Sequence, residues 1–405
     1  MRKLKEEKVF RDPIAGYIRV DDAVVWDCIN AREFQRLRRI RQLGTTSAVF
    51  HGGEHSRFGH SLGVYEITRR MVSEVGDIAN GLSEHEKLVV KLAGLLHDLG
   101  HAPFSHSFER VLRCNHEVYT VQIIRGDSEI HDVLYREDPD LPEEVASIID
   151  GTHPNAVMKQ MISSQLDADR MDYLLRDSYF TGTSYGQYDL ERVLRTLRVA
   201  DDRLTIKESG VHTIEDYIMA RYHMYWQVYY HPVSRSFDSM LNLLFERLVD
   251  VYKQDKSIAE RLPMFKDLLE NEHLSNQQFH LLDDNVCYYA FQLLEKEVDP
   301  ILSDLADRLL QRRLFGYCEP EKAFEIEKRL LEKGFDPKYY LCSDIAEQVP
   351  YQPYDGRKDH SIWILSRKQG IVELSQYSRV VKALCFDYEN VDSRIFYPKE
   401  VETDD

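Results

Sequence analysis

RFGHSLG (Arg57–Gly63), HDLGHAPFSH (His97–His106) and DADRMDY (Asp167–Tyr173) are the stretches that decide how this chain is read. Together they supply two histidines and two aspartates in the order His, His-Asp, Asp, with His60 in the first and His97-Asp98 opening the second. Imidazole nitrogen and carboxylate oxygen in that number make a complete ligand set for one divalent metal ion. Such a set suits Mg, Mn, Fe, Zn or Ni alike and leaves coordination positions where water becomes acidic enough to act as a nucleophile, so it points to a metal-dependent phosphohydrolase.

Each segment alone is weak. A single His-Asp pair at a helix end usually serves as a cap or an ion pair, and a lone His60 would read as a hydrogen-bonded structural histidine. The combination changes this, because His101, His106 and His116 crowd the region after His97-Asp98, and buried imidazoles are tolerated only with partners.

The rest of the sequence sets limits. With 405 residues and 43% hydrophobic content the chain can bury a large core. We expect a main unit over residues 1–310 and a smaller lobe over 311–405. MRKLKEEKVF has no apolar run of signal-peptide length, and no segment approaches the roughly 20 apolar residues of a membrane span, so a cytoplasmic, soluble protein is expected. The six cysteines are dispersed without a CxxC pair, which indicates buried thiols rather than a zinc ribbon or a disulfide framework. A formal charge of −17 disfavours broad nucleic-acid binding, which draws on a cationic surface.

Helical periodicity dominates. Asn30–Gln42 places Phe34, Leu37 and Ile40 on one side and arginines on the other, predicting one basic amphipathic helix. Ser83 with Glu86 forms a capping box ahead of Leu88, Leu92, Leu95 and Leu96, which sets His97-Asp98 at the end of a buried helix. After Gly100, Pro103 implies a turn before a helix starting near Ser107. Further helices are predicted over Glu191–Leu197, Ile214–Tyr230, Ser236–Tyr252 and Asn285–Leu294. From about Pro337, SIWILSRKQGIVELS and RVVKALCFDY are rich in branched and aromatic residues and predict two or three strands in a C-terminal α+β lobe.

These residues resemble the HD-domain superfamily, and within it the deoxynucleoside triphosphate triphosphohydrolases, along most of the chain: KVFRDPIAGYI (Lys8–Ile18), EFQRLRRIRQLG (Glu33–Gly44), the three motifs, and ARYHMYWQVYYHPV (Ala220–Val233). No SAM domain accompanies them. The stringent-response branch is expected to carry HDxxED and the cyclic-di-GMP branch a GYP motif, and neither is present. The resemblance implies a mainly α-helical HD core and one metal ion per subunit on His60, His97, Asp98 and Asp169. It implies an acid, His106, for the departing 5′-oxygen, supported by His101, His116 and Glu109. Arg57, Arg170 and Arg221 would neutralise phosphates, Gln42 and Asp177 would hold the sugar 3′-hydroxyl, and Tyr173 and Tyr229 would close the 2′ side. A regulatory nucleotide triphosphate with Mg, bound between subunits of a homotetramer, would be met by Lys8, Val9, Gln35, Arg38 and Arg192. The implied reaction is hydrolysis of deoxynucleoside triphosphates to deoxynucleoside and triphosphate. A nucleotide phosphodiesterase or nuclease, or a non-catalytic nucleotide sensor, are the alternatives.

Overall fold

The computed structural model of the chain describes residues 2–112, 115–347, 351–354, 361–385 and 391–402. It opens on an antiparallel hairpin, β1 (Lys3–Asp12) and β2 (Gly16–Asp22), turned at Gly16 with φ of 74°, a conformation that glycine adopts without a Cβ penalty.

The helix expected over Asn30–Gln42 is broken. α1 (Ala23–Asn30) ends at an extended Ala31, α2 (Arg32–Arg36) is a single turn, and a 3-10 turn over Leu37–Arg39 follows. Phe34, Leu37 and Ile40 are all fully buried, so the apolar pattern marks the core correctly. What bends the backbone is the delivery of arginines to distant acceptors. Arg36 is buried and donates to the carbonyls of Leu282 (Nε, 2.9 Å) and His101 (Nη1, 2.8 Å); Arg39 pairs with Asp283 at 2.5 Å and Arg41 with Glu54 at 2.6 Å. The basic face anticipated here therefore shrinks to Arg32, Arg38 and Arg39, which are exposed, and Arg38 stacks 3.5 Å over the Phe58 ring.

Five helices carry the site: α3 (Arg57–Glu74), α4 (Glu84–Leu96), α5 (His106–Leu112), α6 (His116–Arg125) and α7 (Ala168–Thr181). α3 packs against both α4 and α7. The Ser83/Glu86 capping box is present, and Leu88, Leu92, Leu95 and Leu96 are all buried, each contributing about 1.5–3 kcal/mol. This anchors the end of α4, where the His-Asp pair leaves the helix. The later helices fall where expected: α8 (Leu190–Thr196), α9 (Val211–Met224), α10 (Pro232–Gln254) and α11 (Asp284–Leu294). α9 runs on into a π-helical turn, Tyr225–Tyr229.

The remaining strands are β3 (Leu197–Ala200), β4 (Arg203–Lys207), β5 (Gly316–Cys318), β6 (Cys342–Glu347), β7 (Trp363–Ser366), β8 (Gly370–Glu373) and β9 (Val391–Tyr397). One sheet runs β3-β4-β7-β8, with β7 parallel to β4, and the other β5-β9-β6. β7 and β8 are the strands expected in SIWILSRKQGIVELS. RVVKALCFDY is not a strand: Arg379–Leu384 form α12, N-capped by Ser378, and residues 386–388 lie outside the described residues. Here the cap and a buried Val381 outweigh β-branched propensity. The C-terminal segment is tied to the helical core by β4–β7 and by Arg235 of α10, which pairs with Asp344 (2.7 Å) and Asp392 (2.5 Å). Cys28, Cys287 and Cys385 are buried thiols, Cys318 and Cys342 are half-buried, and Cys114 lies outside the described residues. Among the described residues no helix is long and apolar enough to cross a membrane.

Candidate metal centre and substrate cleft

His60 lies in the first turn of α3, His97 at the C-cap of α4 with Asp98 in the turn beyond it, and Asp169 in the first turn of α7, so three rigid elements converge. His60 Nε2 is 2.9 Å from Asp169 Oδ1 and 3.7 Å from Asp98 Oδ2; His97 Nε2 is 3.2 Å from Asp98 Oδ1 and 3.7 Å from Asp169 Oδ1. His60, His97 and Asp169 each offer a ligand atom within 4.8 Å of the others, close to the roughly 3.0–3.5 Å spacing of ligands on one ion, and Asp98 flanks them, one carboxylate oxygen toward His60 and the other toward His97. Both Nε2 atoms are buried, and neither makes an aligned hydrogen bond. Buried polar atoms are rarely left so, and a cation taking both lone pairs accounts for them. Burial opposes charge on His60, yet Asp169, Asp172 and Asp98 push it up to about 10, the signature of a site that calls for positive charge. Burial also opposes ionisation of Asp98 and Asp169, but Arg57 with His97 and His101 holds the first well below the usual carboxylate range, and His60 with His97 the second.

The tautomer of His60 is fixed from behind. Its Nδ1 lies 2.8 Å from Asp172 Oδ2, Asp172 accepts from Arg176 Nε at 2.7 Å, and Arg176 Nη1 donates to Asp12 at 2.8 Å. A Cβ on Gly63 would fall 1.9 Å from Asp172 Oδ1, so the glycine of RFGHSLG leaves room for this relay. Asp172 was not singled out from sequence, although it stands three residues after Asp169 in the same motif, the spacing that shares a helix face. Replacing Asp172 by asparagine is expected to weaken metal affinity about 10- to 100-fold, measured by competition with a chelator; unchanged affinity would contradict the role.

The HAPFSH turn is shaped by close approaches. A Cβ on Gly100 would meet the His116 carbonyl at 2.0 Å and Thr120 N at 2.3 Å, and Thr120 Oγ1 accepts from Gly100 N (2.9 Å) while donating to the His97 carbonyl (3.0 Å). This presses α6 onto the His-Asp segment and stacks His116 on His101 with ring centroids 3.8 Å apart. Phe104 and Ser105 both have φ of 55°, a strained conformation held by Asp284, which accepts from the N–H groups of Phe104 and Arg41 at 2.9 Å each. His106 then opens α5, one residue before the predicted start. Its Nδ1 is 3.1 Å from Glu109 Oε1, and His116 Nδ1 is 2.6 Å from the same oxygen. Burial opposes it, but His106 and His116 hold Glu109 down at about 2, a carboxylate at neutral pH. Burial, with Arg57 and His116, pushes His101 well below the ordinary imidazole range, leaving it neutral.

Beside this cluster lies a cavity of about 420 Å³ whose walls include Gln42, Asp169, Tyr173, Asp177, Tyr225 and Tyr229. A second, of about 230 Å³, lies over His97, Asp98, His101 and His116, and the two share Gln42, Arg57, His106, Asp169, Arg170 and Tyr173. Asp177 accepts from Tyr229 Oη at 2.8 Å and faces His55 Nε2 at 2.7 Å; Tyr173 and Tyr229 meet edge to face at 6.1 Å. Gln42 Oε1 is buried without a hydrogen bond. Arg57 reaches Asp98 (2.5 Å) and Ser105 (3.1 Å), and Arg170 bonds to Asp167 and to the Ser164 carbonyl. Arg221, in the last turn of α9, is not among the lining residues and lies 5.7 Å from the Tyr225 ring. His55, Tyr225 and Asp238, the last accepting from Thr45 and Ser107 at 2.6 Å each in the cleft wall, were not picked out from sequence, although Tyr225 stands one helical turn before Tyr229 in the same motif; the π-turn that presents both tyrosines is a frequent device of functional sites.

The residues expected at a regulatory site lie elsewhere. Lys8 and Val9 are on β1, Gln35 and Arg38 around the end of α2, and Arg192 on α8, where it donates to the Ser209 carbonyl at 2.7 Å; none lines the cleft.

A helical core that gathers His, His-Asp and Asp into one cluster suited to a divalent ion beside a polar cleft defines a metal-dependent phosphohydrolase of the HD-domain class, and the HD domain model matches residues 57–177, with the HD associated region at 188–268. The chain belongs to the HD-domain superfamily. It is 45% identical to an uncharacterised Bacillus subtilis protein, YwfO, over 98% of this chain and 94% of that one. It is 26% identical to the deoxynucleoside triphosphate triphosphohydrolase SAMHD1 of Gallus gallus, over 97% of this chain and 67% of that one. The crystal structure of a phosphohydrolase from Bacteroides thetaiotaomicron superposes with a TM-score of 0.83 at 27% identity, covering 97% of this chain and all of that one.

Proposed function

We propose that the protein hydrolyses deoxynucleoside triphosphates to deoxynucleoside and inorganic triphosphate. The observation that carries this is the cleft itself, in which the metal-ligand cluster, an imidazole acid and a tyrosine-lined chamber of about 420 Å³ share one set of walls. That volume falls in the range of about 300–1,000 Å³ usual for small-molecule sites.

A divalent cation held by His60, His97, Asp98 and Asp169 would polarise a phosphoryl oxygen and raise the acidity of water there. The protein supplies the rest. His106 delivers a proton to the 5′-oxygen as the bond from that oxygen to the α-phosphorus opens, since an alkoxide is a poor leaving group. Glu109, held between His106 and His116, orients the donor and stabilises its charged form. Arg57, Arg170 and Arg221 offset the charge of the triphosphate, a task suited to guanidinium forks. The Asp177 carboxylate accepts from the 3′-hydroxyl, the Gln42 amide donates to that hydroxyl's oxygen, and Tyr173 with Tyr229 closes the 2′ side, all four residues lining the same cavity.

The same reading places a nucleotide activator with Mg between subunits of a homotetramer, at Lys8, Val9, Gln35, Arg38 and Arg192. It keeps residues 1–310 as the catalytic unit and 311–405 as an accessory lobe in a cytoplasmic enzyme. Val9 at 48% exposure and the solvent-facing Arg38 support an external ligand at that surface. Chromatography of each dNTP and of ATP after incubation, with and without a second nucleotide, tests the substrate class. We expect deoxynucleoside from dATP at a rate about 10²-fold above any turnover of ATP. Equal rates would contradict the tyrosine gate.

A further inference from the structure

His101, His106, Glu109 and His116 make a second cluster of metal-ligating side chains, which the proposed reaction employs only for proton transfer. We infer that these four form a second cation site, of the kind zinc fills, and that its occupation switches hydrolysis off by withdrawing His106 and Glu109 from the relay; the switch rests on the reading of His106 as the acid.

Each residue offers one ligand atom, and the four atoms lie within 4.8 Å of one another. Tetrahedral zinc with bonds of about 2.0–2.1 Å spaces its ligand atoms about 3.4 Å apart, so closure asks for movements of about an ångström. His106, with its side chain 69% exposed, is the member free to make them. Three imidazoles and one carboxylate favour zinc, nickel or copper over magnesium, whereas the His60 centre, with two carboxylates, is less selective. Glu109 Oε1 already joins His106 and His116 through their Nδ1 atoms, and a cation would take the place of the protons in those contacts, each neutral imidazole then carrying its N–H on Nε2.

An independent observation points the same way. His101 Nδ1 is buried with no hydrogen-bond partner, and a group left so carries an uncompensated desolvation cost that coordination removes. The cavity over His97 and Asp98 is also lined by His101, His106 and His116, which gives an ion a way in. His101 Nε2 stands 3.3 Å from Asp98 Oδ1, so an ion held by His101 would sit beside the reaction centre.

The test is the metal content of protein equilibrated with excess Zn²⁺ and desalted, followed by its rate on a dNTP. We expect two divalent ions per wild-type chain, one in Asp98→Ala, and one in each of His116→Asn and Glu109→Gln, with circular dichroism confirming that the variants fold. The wild-type rate should fall at least about 10-fold as the second equivalent binds, because a lost general acid is worth about 10²- to 10⁴-fold. One ion in the wild type, two retained in both cluster variants, or two bound with the rate unchanged would overturn the inference. Two ions bound by a protein that releases pyrophosphate or phosphate instead would leave the second site standing and remove the triphosphate reading. One ion in a protein that releases triphosphate would do the reverse.

Discussion

Replacing Asp98 by alanine is expected to empty the His60 centre of its divalent ion and to lower hydrolysis by at least about 10³-fold, since Lewis-acid stabilisation is worth several kcal/mol. Asp98 is buried at the centre of the cluster, 2.5 Å from Arg57, 3.2 Å from His97 and 3.3 Å from His101. Its removal takes away a ligand and also leaves the Arg57 guanidinium without its carboxylate, next to the place a cation must occupy. Breaking a buried pair from one side costs about 3–5 kcal/mol, so a fall in melting temperature should accompany the loss. Asp98→Asn, which keeps the shape, should lose metal with a smaller thermal shift. Near-stoichiometric metal in an Asp98→Ala, His116→Asn double variant, which lacks a ligand from each cluster, would show that the centre lies elsewhere.

Replacing His106 by alanine is expected to act on rate alone. Its side chain is 69% exposed, bonded to Glu109 at 3.1 Å and edge-on to the His101 and His116 rings, so truncation should change stability by no more than about 0.5 kcal/mol. Metal at the His60 centre, measured in protein prepared without added zinc, should match the wild type, because His106 belongs to the neighbouring cluster. The turnover number should fall about 10²- to 10⁴-fold with KM little changed, the pattern of a group that acts in the transition state. An unaltered turnover number would remove His106 from the mechanism, and loss of the ion at the His60 centre would reassign it as a ligand there.

The metal centre was legible because its ligands sit in short motifs of chemically distinctive residues, and the end of α4 was legible because the capping box and leucine spacing are local signals. The relay from His60 through Asp172 and Arg176 was half-visible: Asp172 lies in a motif that had already been picked out, while its continuation to Asp12 depends on the fold. The hairpin β1–β2 was hidden because KLKEEKVFRD is mostly charged and carries little apolar alternation. The break in Asn30–Gln42 could not be read locally either, since the acceptors that draw Arg36, Arg39 and the Arg41 backbone aside are Leu282, Asp283 and Asp284. In Arg379–Leu384 branched residues suggested a strand, and a serine cap with one buried valine decided for a helix. Parallel pairing of β4 with β7 joins segments far apart in sequence, for which no local pattern exists.

The central claim is that water opens the bond between the α-phosphorus and the 5′-oxygen. Mass spectrometry of the products from a single turnover of dGTP in H₂¹⁸O tests it most directly. The account predicts inorganic triphosphate carrying one ¹⁸O and unlabelled deoxyguanosine. Label in the nucleoside, or release of deoxyguanosine monophosphate with pyrophosphate, would contradict it.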